Sequence, residues 1–107
     1  MKRGDFVTIA MQGDFGKPRT ALVIQSERFD QHGTVSVLLV SSRLVNAPLF
    51  RVTVKADAAN GLRKTSQVMV DKAITVSREK LGEVFGSASA ETMLAVTRSL
   101  AVFLGVV

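Results

Sequence analysis

Between residues 5 and 76 the chain is cut into short apolar runs by clusters of turn-forming residues, and this spacing constrains the fold more than any other feature. The runs 5–11 (DFVTIAM), 20–26 (TALVIQS), 34–40 (TVSVLLV) and 49–55 (LFRVTVK) are rich in Val, Ile and Phe and have the length of strands. In the last of them Phe50, Val52 and Val54 fall on one face and Arg51, Thr53 and Lys55 on the other, the mark of a half-buried strand. The runs Ala21-Leu22-Val23-Ile24 and Val37-Leu38-Leu39-Val40 are apolar throughout, which predicts central strands covered on both faces. Residues 27–33 (ERFDQHG) form a polar connection, and 57–61 (DAANG) a turn whose Asn-Gly pair tolerates positive φ. A further strand pair is predicted at Ser66–Val70 and Ala73–Val76.

Helical signals follow only after these runs. Ser77 is placed to cap a short helix over 78–85 (REKLGEVF), ending at Gly86. Ser87 or Ser89 can cap a longer one over 90–104, with Glu91 in the first turn, where the helix dipole favours a carboxylate. Met93, Val96, Leu100 and Leu104 make one stripe, and Leu94, Ala101 and Phe103 broaden it, which fits packing on both the sheet and a second subunit and fits equally a helix sunk into its own core. The expected fold class is mainly β, a small, partly open antiparallel barrel with C-terminal helices, and 107 residues leave room for a single domain spanning 1–107.

Composition narrows the chemistry. The absence of Cys excludes disulfides, thiolate metal sites and a cysteine nucleophile, and the single histidine, His32, lies in a polar turn and excludes paired imidazole ligands. The N-terminus carries no signal-peptide pattern and no run approaches the roughly 20 apolar residues of a membrane span. A cytoplasmic protein without membrane partners is expected. Fourteen Lys and Arg against nine Asp and Glu give a net charge of +5, a field suited to polyanions and equally to plain solubility.

Neither a phosphate-binding glycine loop nor a nucleophile elbow is present. The polar residues that stand out are at strand ends: Arg19 opens run 20–26, and Ser41 and Ser42 follow run 34–40. In an antiparallel pair the start of one strand lies beside the end of the next, so these side chains are expected at one rim. A guanidinium fork and a hydroxyl there suit a phosphodiester and the added negative charge of its transition state. The same residues also read as an exposed arginine and two turn-forming serines.

The ordered set Lys2-Arg3-Gly4-Asp5 plus an apolar strand, the loop Gly13–Arg19 (GDFGKPR), the strand ALVIQS, VSVLLVSS and VMVDKAITVSREKLGEVFG resembles the MazF/PemK family of toxin endoribonucleases over nearly the whole chain. The resemblance implies an SH3-like barrel, a homodimer, and cleavage of single-stranded mRNA without a metal or other cofactor. The implied step is attack of the ribose 2′-hydroxyl on the adjacent phosphate, leaving a 2′,3′-cyclic phosphate and a 5′-hydroxyl, chemistry open to RNA and closed to DNA. It also implies a cognate antitoxin with an acidic flexible segment, through which alone the toxin would meet DNA. The family's catalytic arginine falls on Arg19 and its hydroxyl on Ser41, with Ser42 adjacent; Gln12, Asp14, Phe15, Lys17 and Asp71 are weaker RNA-binding candidates. Thr20 follows Arg19 where the family usually has proline, and Met69 stands where some relatives carry an arginine. Two other readings are weighed: a CcdB-type gyrase poison, echoed by the ending Phe103–Val107, and a noncatalytic SH3-like module that binds an acidic peptide.

Overall fold

A computed structural model describes residues 1–10 and 17–107. Its order is β1 (Asp5–Ala10), β2 (Pro18–Val23), a 3-10 turn (Glu27–Phe29), β3 (Thr34–Ser41), β4 (Arg51–Val54), β5 (Ser66–Ser77), a second 3-10 turn (Arg78–Lys80), β6 (Leu81–Ser87) and α1 (Ala90–Leu104). The six strands form one antiparallel sheet in the order β4-β5-β3-β2-β1-β6, whose edge strands β4 and β6 leave the barrel open.

The two runs without polar alternation are central, as expected. On β2 and β3, Leu22, Leu38 and Val40 belong to one apolar cluster and Ala21, Val23, Val35, Val37 and Leu39 to another, so both faces of the sheet are covered. The first cluster, with Phe6, Val54, Val68 and Val70, is closed by α1 through its buried Val96 and the partly buried Met93 and Leu100. Ser89 caps that helix by accepting a hydrogen bond from the Thr92 amide, and Gly105 ends it in the left-handed region at φ 74°. The far end of the expected stripe is exposed: Leu104, with Leu94 and Phe103, faces away from the sheet.

Two expectations are corrected. Residues 66–77 are one strand rather than a pair: Leu38 pairs with Ala73 and Val40 with Val68, so Met69, Val70, Asp71 and Lys72 share a bulge opposite Leu39. The bulge bends β5 and lets its first half pair with β4 while the remainder follows β3. Residues 78–85 do not form a helix either. One 3-10 turn at Arg78–Lys80 leads into β6, which pairs with β1, and only a single α-helix ends the described chain. Pairing with the exposed edge of β1 outweighs a short stretch of helical spacing that contains Gly82.

Candidate active site

β2 and β3 bring the two strand-end residues together. Thr20 pairs with Val40, and continuing that register by one residue sets Arg19 against Ser41. Because side chains alternate along a strand, Arg19 has the facing of Ala21 and Ser41 that of Leu39, and those two belong to the same apolar cluster. Arg19 and Ser41 therefore share a face. Ser42, exposed, lies just past the strand end.

All three line an open cleft of about 700 Å³. Thr8, Thr20, Val40, Phe85 and the segment from Gly61 to Lys64 line it too. Thr20 and Val40 have the opposite facing to Arg19 and Ser41, so the lining draws on both faces of the sheet at these strand ends. Ser41 is half-buried, and its Oγ accepts a hydrogen bond from the Arg43 amide at 3.0 Å. That bond occupies a lone pair and orients the hydroxyl while leaving its O–H able to donate. Arg19 brings a guanidinium, a planar fork of donors matched to a phosphate.

The side formed by residues 61–64 is set by a buried asparagine. Asn60 Oδ1 accepts from the amides of Asp57 and Leu62, both at 3.0 Å, and its Nδ2 donates to the Lys55 carbonyl at 2.8 Å. Gly61 turns at φ 69°, and Gly86 of β6 packs so closely that a Cβ there would lie 2.1 Å from the Asn60 carbonyl oxygen. The turn predicted at 57–61 is thus keyed against β6.

Three cations, Arg19, Arg63 and Lys64, line the cleft, and the described lining contains no carboxylate. It favours a polyanion and offers donors to a phosphate. Among the described residues no cluster of His, Cys, Asp or Glu could hold a metal ion.

Asp71 does not line the cleft; it pairs with Arg51 across β4 and β5, Nε to Oδ1 at 2.9 Å and Nη2 to Oδ2 at 3.2 Å. Burial pushes its carboxyl up, but the Arg51 hydrogen bonds, a bond from its own backbone and the charges of Arg51 and Lys72 together hold it below its ordinary value. Lys17 is exposed beside the cleft-lining Pro18. Gln12, Asp14 and Phe15 lie outside the described residues. His32 is exposed and contributes its backbone carbonyl to Arg78 Nε at 2.9 Å. The ending 103–107 does not line the cleft, and its Gly105 serves to close α1.

Arg63, Lys64 and Phe85 are among the lining residues that reading the sequence missed. Two adjacent cations directly after an Asn-Gly turn were the available signal for the first two. Phe85 was hidden by the assignment of its segment to a helix, although as a strand residue it stacks on Phe6 with ring centroids 6.2 Å apart.

Residues 2–104 match the model of a family described as PemK-like, MazF-like toxins of type II toxin-antitoxin systems. A probable endoribonuclease MazF of Mycolicibacterium smegmatis is 39% identical, the match covering 99% of this chain and 98% of that protein. Among solved structures, the Mycobacterium tuberculosis toxin MazF-mt6 superposes with a TM-score of 0.77 at 25% identity, over 92% of this chain and 95% of that one. A MazE-MazF structure from Deinococcus radiodurans gives a TM-score of 0.80 at 25% identity, over 98% and 96% of the two chains. A mycobacterial endoribonuclease in complex with its cognate antitoxin shares the fold, with a TM-score of 0.81 at 19% identity over 100% and 97%.

Proposed function

Because the chain belongs to the PemK-like, MazF-like toxin family, we propose that its cationic cleft binds single-stranded mRNA and that Arg19 and Ser41 promote cleavage of one phosphodiester. The protein is an endoribonuclease of a type II toxin-antitoxin system. The 2′-hydroxyl loses its proton, the 2′-oxygen bonds to phosphorus, and the 5′-oxygen leaves and takes a proton. A 2′,3′-cyclic phosphate and a 5′-hydroxyl result. Arg19 offsets the charge that builds on the phosphoryl oxygens, and Ser41 donates to a nonbridging oxygen. The reacting nucleophile belongs to the substrate, which is consistent with a cleft that holds hydroxyls and cations rather than a built protein nucleophile.

The observation that carries this reading is the β2–β3 register, which sets Arg19 and Ser41 side by side on one face. An antitoxin with an acidic segment would lie along the same cations, a partner of the kind found with the relative solved as MazE-MazF. The exposed Leu94, Val102 and Phe103 on α1 suit a homodimer. The site of action is the cytoplasm, where mRNA is exposed, and DNA is reached only through the antitoxin.

Incubation with a long unstructured RNA in EDTA tests the proposal. Cleavage should persist, leave 5′-hydroxyl ends, and fall by about 100-fold in Arg19→Ala, the scale of losing one transition-state donor. Full activity in that variant, trapping of gyrase on DNA, or binding of an acidic peptide with no cleavage at all would each contradict it.

A further inference from the structure

We propose that Arg63 and Lys64 form a second phosphate subsite, which grips the RNA backbone next to the scissile linkage and supplies affinity rather than chemistry. This rests on the endoribonuclease reading and extends the same cleft. Both residues line it together with Arg19 and Ser41. Both are exposed, and among the described residues neither enters a hydrogen bond or an ion pair through its side chain. Among the described residues these two adjacent like charges have no carboxylate partner, so they leave a local positive field within the cleft that an anion can occupy.

The backbone beneath them is held. Upstream, the buried Asn60 amide ties together Asp57, Leu62 and Lys55. Downstream, Ser66 Oγ donates to the Lys64 carbonyl at 2.9 Å, and Ser66 itself is buried at the start of β5. On the β6 side Gly61 sits against Phe85, where a Cβ would come within 2.4 Å of the carbonyl oxygen. The two cations thus project from a segment fixed at both ends, which lowers the entropy lost when they close on a ligand. A cleft of about 700 Å³ exceeds what one phosphodiester occupies, and a strand of RNA seated at Arg19 continues past this side.

RNA rather than an acidic peptide is the occupant argued here, because a single strand presents a phosphate at every nucleotide and two adjacent cations can meet consecutive ones. Positioning by Arg63 and Lys64 should show as binding without loss of turnover. The test first locates a cleavage site by mapping the 5′ ends of cut transcripts, then uses a single-stranded RNA carrying that site, and the same strand with a 2′-deoxy nucleotide there as an uncleavable binding probe. In Arg63→Ala/Lys64→Ala, KM should rise roughly tenfold with kcat nearly unchanged, and the slope of log affinity against log salt should fall by about 1.4, or about 0.7 for each lost contact. The exchange Arg63→Lys/Lys64→Arg, which keeps both charges, should retain the wild-type slope. Unchanged KM and slope in the alanine variant, or a loss confined to kcat, would overturn the subsite while leaving the endoribonuclease reading intact. A wild-type slope combined with lost affinity for an acidic peptide would overturn it in favour of the antitoxin. No RNA cleavage by the wild-type protein would overturn both.

Discussion

Arg51 lies at the start of β4, contacts Asp71 at two points and passes over the Phe50 ring at 5.6 Å from its centroid. This pair fastens an edge strand beside the bend of β5. The depressed carboxyl pKa fixes the sign of its pH effect: the stabilisation is complete above the unfolded value near 4 and is lost as pH falls through the lower folded value. Asp71→Asn should cost about 1 kcal/mol at neutral pH and flatten the acid limb of the stability curve, measured by urea unfolding across pH 2 to 7. RNA cleavage by that variant at neutral pH should be near wild type, since Asp71 stands outside the cleft. Ser41 differs from Asp71 in kind. Its hydroxyl lines the cleft and is oriented by the Arg43 amide, which occupies the oxygen and leaves the O–H able to donate.

At the scale of elements, β6 decides the shape of the cleft. Gly86 meets the Asn60 carbonyl so closely that Gly86→Ala must move backbone, and we expect a loss of about 1–3 kcal/mol in urea unfolding with a parallel fall in cleavage as the Phe85 side shifts. A wild-type midpoint in that variant would show that the loop and strand are not keyed. The same segment shows where sequence reading ends. The apolar runs at 20–26 and 34–40 announced central strands because burial on both faces removes polar alternation, and Ser89 announced its helix through a local bond. Leu81, Val84 and Phe85 have a spacing that fits a short helix as well as a bulged strand, and only the free edge of β1 chooses between them. Asp71-Lys72 looked like a turn for a similar reason, since a long bulge inside one strand leaves the same polar interruption as a hairpin. Arg19 and Ser41 were legible together because antiparallel neighbours meet end to start. Arg63, Lys64 and Phe85 were not, because their meeting depends on β6 packing against the turn at 57–61.

For the molecule as a whole, part of the net charge of +5 lies along one cleft, lined by cations from β2 and from the segment before β5. The barrel's open edge, the glycine contact at β6 and the bend in β5 all serve to keep that space between strands that are distant in sequence. Within the described residues no helix is long and apolar enough to cross a membrane. The central claim is that Arg19 and Ser41 act on one phosphate as a unit, and a double-mutant cycle on single-turnover RNA cleavage tests it most directly. If the claim holds, Arg19→Ala and Ser41→Ala each slow the step, and the double variant is scarcely slower than the worse single one. Losses that simply multiply, or a Ser41→Ala enzyme that cleaves at the wild-type rate, would contradict it.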